Sequence, residues 1–405
     1  MTQLALPALA HPCRVSILAS DLSAQGAGRW GGAVRPFLLG QALQRMGYTV
    51  DMVGFTPDVD GPSWPCDIPI QAIPVASPRL GRAAIAELFR HLRGDIIYAY
   101  KLKPSSFGLA LLHRLRHHRP VVLDIDDWEL SWHGGEGWRY RASPHQIARQ
   151  LLKPDGALRH PDHPLYLQWI ERLVPQADLV TTHTGFLQQR FGGVYIPNGK
   201  DTDLFNPSNY AAEACRADYG LTPYRVLMFP GAPRSYKGVE DLLVAMDVLD
   251  QPDLKLVLVG GSPYDNYDQE LLTRWPQRII HLGKRPYAEM PRVIAAAHVV
   301  VVPQRQTPAA QAQFPLKLTD AMAMAKPILA TRVGDIPTIL NGTGYLAEAS
   351  APDQLAQQIT AIFDDYDRAL HLGHLARTRC VSHYSIDAMG QLLHQSLIQL
   401  LPPRP

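Results

Sequence analysis

Lys317 and Asp320 stand three residues apart in a helix-forming run, 316–325, that follows a broken loop and is stopped by Lys326-Pro327. At that spacing two side chains share one helix face. A helix N-terminus offers unpaired N–H groups and the positive end of a dipole to an anion. The turn made by Phe314, Pro315, Leu316, Lys317 and Leu318 is therefore expected to receive a phosphate on its backbone N–H groups, with the Lys317 ammonium beside it. Asp320, one turn further in, suits hydroxyl groups such as a ribose diol, because a carboxylate only accepts hydrogen bonds.

The elements that would place these residues read as a βαβ unit. The apolar run 299–302 predicts a buried parallel strand ended by Pro303, and 328–331 a second strand leading into a Gly-Asp-Ile-Pro turn. The polar, Pro-broken stretch between Pro303 and Phe314 reads as a loop. In open parallel sheets ligands gather at the carboxyl ends of strands.

The same pattern opens the chain. A strand over 13–19 runs into a loop with four glycines (Gly26, Gly28, Gly31, Gly32), then a helix over 33–46 and a strand over 48–55. Such a loop lets backbone approach a ligand closely; a flexible surface loop is the plain alternative. Residues 56–80 read as irregular. Helices are expected over 82–93, 107–118 and 185–191, and strands over 95–100, 121–127 and 177–182. The helix 107–118 ends in a basic run through Arg119, which suits either an anionic membrane surface or a solvated face. The strand 121–127 ends in Asp124, Asp126 and Asp127, followed by Trp128, Glu129, Trp132 and His133. His183 follows the next strand. The long polar excursion 134–164 is a candidate for substrate recognition or a lid.

The second half restarts the series. A strand over 224–229 leads to a loop holding Gly231, Arg234 and Lys237, then a helix over 238–249. A strand over 254–259 ends in Gly260-Gly261. A short strand over 279–282 leads to Gly283-Lys284-Arg285-Pro286. Surface helices are expected over 354–364 and 369–374, and a final amphipathic helix over 387–400.

The bulk numbers agree with a globular two-domain protein. The chain has 405 residues, 46% of them hydrophobic and 19% charged, with a net charge of +2. That balance argues against nucleic acid as the main partner. The four cysteines are scattered, the N-terminus lacks a basic, apolar leader, and no window reaches the ~20 apolar residues of a spanning helix. A cytoplasmic location is expected.

Set against known patterns, the stretch around Asp320 resembles the retaining GT-B glycosyltransferases of family 4. Their hallmark is E-x7-E, written E-P-F-G-x4-E-A-x-A-x-G-x-P-V. Asp320 aligns with the second acid, Phe314 with the Phe, and Ala312 with the first acid. The segment 194–205, VYIPNGKDTDLF, resembles the family's I-P-N-G-x-D-x-x-x-F linker, with Asn198-Gly199 at its turn. Lys237-Gly238 matches the family's K-G, while Ala232 takes the place of its Arg, a role Arg234 would assume.

The resemblance implies an α/β GT-B architecture: two Rossmann-like doubly wound domains facing across a cleft. Residues 1–206 would form the acceptor-side domain, joined by the last helix 387–405, and 207–386 the donor domain. It implies that Gly31 and Gly32 lie against the donor phosphates and the acceptor, that Arg234 and Lys237 clamp the diphosphate and form the catalytic set with Asp320, which holds the ribose, that Gly231 and Gly261 belong to the donor site, and that Arg285 lies near the base. Arg35, Asp126, Asp127, His133 and His183 fall on the acceptor side; a structural cluster capping the next helix is the alternative for the acids, and for His183 a satisfied structural histidine is the plainer reading, a donor-sugar contact the other. Asp-x-Asp at 124–126 is also a metal signature of another glycosyltransferase fold, but a GT-B site uses protein cations, so neither metal nor cofactor is expected beyond a nucleotide diphosphate sugar as co-substrate.

The implied activity is transfer of a hexose, glucose from UDP by default, to a hydroxyl acceptor such as a sugar, a sugar phosphate or a lipid-linked glycan. Two other readings stay open: a nucleotide-sugar epimerase of similar fold, and a non-catalytic nucleotide-sugar binder.

Overall fold

The computed structural model describes residues 13–23, 34–57, 67–75, 80–153, 156–262 and 265–401. Gly31 and Gly32, with the rest of the first glycine loop, lie outside them. The chain divides into two compact units: 1–198 with 389–405, and 199–388.

The N-terminal unit carries seven strands: β1 (Arg14–Ala19), β2 (Thr49–Thr56), β3 (Ile70–Pro74), β4 (Ile96–Tyr100), β5 (Val121–Ile125), β6 (Leu179–Thr182) and β7 (Val194–Tyr195). They form one sheet in the order β3-β2-β1-β4-β5-β6-β7, with every pairing parallel. β4 and β5 are buried along their whole length. Continuous apolar runs of this kind mark strands covered on both faces by helices. The strand order reverses between β1 and β4, where Ala19 pairs with Tyr100.

The C-terminal unit repeats the plan with six strands: β8 (Arg225–Pro230), β9 (Leu254–Val259), β10 (Ile279–Gly283), β11 (Val299–Val302), β12 (Ile328–Thr331) and β13 (Tyr345–Ala347). Their order is β10-β9-β8-β11-β12-β13, again all parallel. Here the order reverses between β8 and β11. Apolar side chains from both faces of this sheet form two buried clusters, one under the helix Leu316–Ala323 and one under the helices Val239–Leu249 and Pro352–Asp364.

Several short elements depart from the expected ones. β3 lies inside the stretch expected to be irregular, because its backbone finds β2 as a partner. Pro308–Ala312 and Ile336–Leu340 are helices where a loop and a turn were expected. Thr307 caps the first, its hydroxyl accepting from the Ala310 N–H at 3.1 Å. Residues expected as a helix over 369–374 belong to one helix of 18 residues, Tyr366–His383.

The units divide at 198/199, not at 206. Phe205 sits in the C-terminal core, and the Lys200 backbone bonds to Tyr384 at 2.7 Å and Ile386 at 3.0 Å. Those contacts bind 199–206 to the second unit. Residues 389–405 belong to the first. A Cβ at Gly390 would meet Ala42 O at 2.8 Å, so this helix lies close against Arg35–Arg45, and Tyr48 Oη lies 3.0 Å from His394 Nδ1.

Arg35, expected on the acceptor side, is instead 1% exposed and inside the N-terminal core. Its guanidinium donates to both oxygens of Asp124 at 2.7 and 2.8 Å, to Ile196 O at 3.0 Å and to Asn198 Oδ1 at 2.8 Å. Asp124 also accepts from Thr181 Oγ1 at 2.6 Å. This pair ties the first helix to β5 and to the end of the unit. Removing one partner of such a pair strands a buried charge. Arg35→Ala is expected to lose about 3–5 kcal/mol of unfolding free energy, measured by chemical denaturation; a loss below about 1 kcal/mol would show that the pair does not hold the core.

Candidate active site

In sheets of this kind a ligand crevice opens where the strand order reverses, and at the carboxyl ends of β8 and β11 the chain places cations. After Pro230 the backbone turns through Gly231, whose φ of 136° excludes ordinary side chains. A methyl there would lie 3.7 Å from Lys317 Cε and 3.9 Å from its Nζ, so the Lys317 ammonium rests against this turn. Lys317 also lies over the Phe229 ring at 4.6 Å. From the same turn, Lys237 Nζ donates to Ala232 O at 2.9 Å. Gly238 next to it, at φ 66°, packs against Pro303, where a Cβ would fall 1.8 Å from the carbonyl oxygen. Only glycine lets the β8 loop approach the β11 loop this closely.

Charge in this turn is unbalanced. Burial lowers the Lys237 pKa well below the usual lysine value, and Lys317 and then Arg234 lower it further. Lys317 is brought down to about 8 by burial, against a raising pull from Asp320. The charges acting on Lys237 are both positive. Half-buried ammonium groups set against other cations are stabilised by an anion that enters.

The backbone donors of the 314–318 turn are fewer than expected. Pro315 has none, the Leu316 N–H goes to Phe314 O at 3.0 Å, and the Leu318 N–H goes to Pro315 O at 2.8 Å. Lys317 therefore carries most of what the turn can offer. Phe314 and Leu318 are buried in the core, and Leu316 packs against it.

Asp320 is paired with Lys200, whose ammonium donates to Oδ1 and lies over the Phe205 ring at 3.6 Å and the Tyr287 ring at 5.1 Å. Burial opposes the charge on Lys200, but Asp320 raises its pKa overall. Lys200 was missed in the sequence, where it fills the variable position after Asn198-Gly199; a lysine there, in a segment already marked, was the available signal.

Ala312, where the first acid of the motif would stand, is fully buried. The side chains beside it are amides, and Gln313 Oε1 accepts from Tyr236 Oη at 3.2 Å. Gly261 follows β9, where a Cβ would meet Asp268 Oδ2 at 2.9 Å. Arg285 is turned to its own loop, donating to Leu282 O at 3.1 Å and lying 3.5 Å from Glu289.

In the N-terminal unit the carboxyl ends of β4 and β5 carry a second charged group. Lys101 holds a left-handed backbone, φ 76°, which costs a non-glycine residue about 1 kcal/mol or more. Its ammonium lies 3.3 Å from Asp126 Oδ1 and 3.0 Å from Glu129 Oε1, and Lys103 lies 3.2 Å from Glu129 Oε2. Tyr100 Oη donates to Asp126 Oδ2 at 2.5 Å. Asp127 accepts from Trp132 Nε1 at 2.9 Å. Burial, then Glu129 and Asp126, push the Asp127 carboxyl up to about 7 against the pull of Lys101.

Lys101 and Lys103 also escaped the sequence reading, although two lysines directly after an apolar strand were the mark. His133 is exposed beyond this group. His183 is buried, 3.4 Å from Asn198 Nδ2, and so belongs with the Arg35 core network.

A family model described as "Glycosyl transferases group 1" matches residues 224–365, and one described as "Glycosyl transferase 4-like domain" matches 31–202. A D-inositol 3-phosphate glycosyltransferase of Corynebacterium jeikeium is 29% identical over 76% of this chain and 76% of its own. A GDP-mannose-dependent monoacylated alpha-(1-6)-phosphatidylinositol monomannoside mannosyltransferase of Corynebacterium glutamicum is 26% identical over 56% of this chain, and the match spans 63% of that relative's length. Among solved structures, Anabaena HepE in complex with UDP and glucose superposes with a TM-score of 0.72 at 18% identity, over 95% of this chain and 99% of that one. The sucrose-phosphate synthase of Thermosynechococcus elongatus gives 0.73 at 20%, over 96% and 99%. At these identities the structures show the fold.

Two predictions follow from the charges. A diphosphate seated at Lys237 and Lys317 restores their protons. UDP, whose last phosphate pKa is about 6, is thus expected to bind with proton uptake above about pH 8, and more weakly as pH rises. Calorimetry in two buffers of different ionisation heat reads this directly; equal heats would show that the lysines do not meet the anion. Asp127 gives the opposite linkage. Its folded pKa exceeds its unfolded one, so the native state holds more protons in that interval and stability falls as pH climbs from about 4 to about 7. Asp127→Asn is expected to raise Tm at about pH 8 and to change it little at about pH 5; equal effects at both would remove the buried carboxylate from the account.

Proposed function

The chain belongs to the GT-B glycosyltransferases of family 4, and on that footing we propose that it transfers a hexose from a nucleoside diphosphate sugar to a hydroxyl acceptor, with retention at the sugar carbon and without a metal. The observation that carries this reading is the Gly231 turn, where Lys237 and Lys317 lie half-buried beside Arg234 and the charges acting on Lys237 are cationic. A diphosphate leaving group gains negative charge as the glycosidic bond breaks. Fixed cations stabilise that charge without the reorganisation water would need. Arg234 offers a fork to two phosphate oxygens, and each lysine a point charge.

In this reading Asp320 accepts from the ribose diol while Lys200 fixes its orientation. The donor sugar meets neutral amides near Ala312 where related sequences carry an acid. UDP and glucose are the default donor. The names of the two relatives above, one GDP-mannose-dependent, keep GDP-mannose in the same test. The acceptor is taken by the N-terminal unit, where Asp126, Asp127 and Glu129, held by Lys101 and Lys103, can accept from hydroxyls, with His133 at the margin. The Asp124–Asp126 carboxylates are occupied by Arg35, Tyr100 and Lys101, so the protein's own cations take the neutralising part.

A thermal-shift series of nucleoside diphosphates and their sugars is expected to single out one base by a rise in Tm. Lys237→Ala should then lower kcat by about 100- to 1,000-fold with Tm nearly unchanged, followed by release of the nucleoside diphosphate. Wild-type turnover in that variant would remove the clamp, and an epimerised donor recovered without acceptor would replace transfer by epimerisation.

A further inference from the structure

Helix Pro144–Leu152 has no buried residue. Nine-residue helices are marginal in water and normally persist by packing an apolar face. This one is held by its own start. Ser143 Oγ accepts from the Gln146 N–H at 3.3 Å, Gln146 Oε1 accepts from the Ser143 N–H at 2.8 Å, and Pro144 opens the first turn. Tyr140 Oη donates to Gln150 Oε1 at 2.7 Å and fixes the helix to the chain before it. Its apolar residues nevertheless form a stripe: Ile147 and Leu151 lie four apart, as do Ala148 and Leu152. Leu151 is 46% and Leu152 78% exposed.

Within that stretch of sequence the charges are of one sign; of the acids that flank it, Glu136 is paired with Arg190 at 2.8 Å and Asp155 follows Lys153 by two positions. From Gly137 to Lys153 the chain holds Arg139, Arg141, Arg149 and Lys153 and no acid, in a protein whose total is nearly neutral. Among the described residues Arg139 donates to the Glu136 and Trp138 carbonyl oxygens and pairs with no acid. The helix Leu109–His117 makes an instructive contrast. It too exposes Leu112 and Leu115, but Arg114 is paired with Asp178 at 3.1 Å, and Arg119 beyond it with Asp95 at 3.2 Å.

We propose that helix Pro144–Leu152 with the Arg139–Arg141 approach is a docking surface for an anionic lipid bilayer, Leu151 and Leu152 entering the headgroup boundary while Arg141, Arg149 and Lys153 meet lipid phosphates. A short helix with exposed leucines and a one-sided cationic flank has the composition of interfacial helices. The long stems of Arg and Lys let their charges reach phosphates while the leucines enter the acyl boundary. The contribution per cation makes attachment dependent on anionic lipid and on salt.

The test is flotation of the full chain with vesicles of phosphatidylcholine containing roughly one-third phosphatidylglycerol. Binding to these and not to phosphatidylcholine alone, falling with added salt, is expected. The double variant Leu151→Ser, Leu152→Ser and the triple variant Arg141→Gln, Arg149→Gln, Lys153→Gln should each weaken binding roughly tenfold to a hundredfold, with Tm little changed because the helix has no buried residue. Equal binding by both variants, or no binding to anionic vesicles, overturns the proposal. So does light scattering that shows a dimer of wild-type chains lost in the Leu variant, which would assign the stripe to a second copy.

Discussion

Two half-buried ammonium groups beside one another repel, and a fold that holds them so has committed stability to something not yet bound. The Gly231 turn is such a place. Lys237 and Lys317 come from different crossovers of one sheet, and Gly238 lets the loop after β8 close on the loop after β11. Burial is the first cause of their lowered proton affinity, and on Lys237 the charges of Lys317 and Arg234 add to it. An entering diphosphate removes the repulsion, so the lysines favour the ligand both by attraction and by relief of what they cost the free protein.

The sheet order makes this arrangement possible. Where β8 and β11 lie side by side, one crossover leaves on each side and the loops beyond the strands open apart. The β8 loop carries Arg234 and Lys237; the chain after β11 carries Lys317 and Asp320. The same order in the N-terminal unit puts the end of β1 beside the end of β4, where the left-handed Lys101 begins its own charged group. Repetition of one supersecondary plan thus gives each unit one opening, and the side chains decide what enters it.

Much of this was legible in the sequence because it rests on local signals. Apolar runs gave the central strands, glycines the loops, and Lys237, Lys317 and Asp320 stood at motif positions. What the sequence hid depends on partners distant along the chain. Arg35 follows a glycine loop and reads as a ligand contact; only the meeting of the first helix with β5 and Asn198 shows it to be a core residue. Lys200 reads as filler until the linker folds against helix Leu316–Ala323 and meets Asp320. Short helices such as Ile336–Leu340 carry too few residues for periodicity to speak. The backbone donors expected of the 314–318 turn were reduced by bonds made within that turn, which no pattern of residue types encodes.

The two units solve opposite charge problems. In the C-terminal opening the cations exceed their partners, and an anion is the complement. In the N-terminal opening Asp126, Asp127 and Glu129 face Lys101 and Lys103, since Asp124 is already answered by Arg35. One carboxylate is therefore in surplus. Burial decides which: Asp127 has Trp132 as a neutral donor and Lys101 only at a distance, so its carboxyl is the one driven toward protonation. A surplus carboxylate near neutrality can accept a hydroxyl's hydrogen bond or take its proton. Under the transfer proposed above, that is what an acceptor alcohol would require of this group.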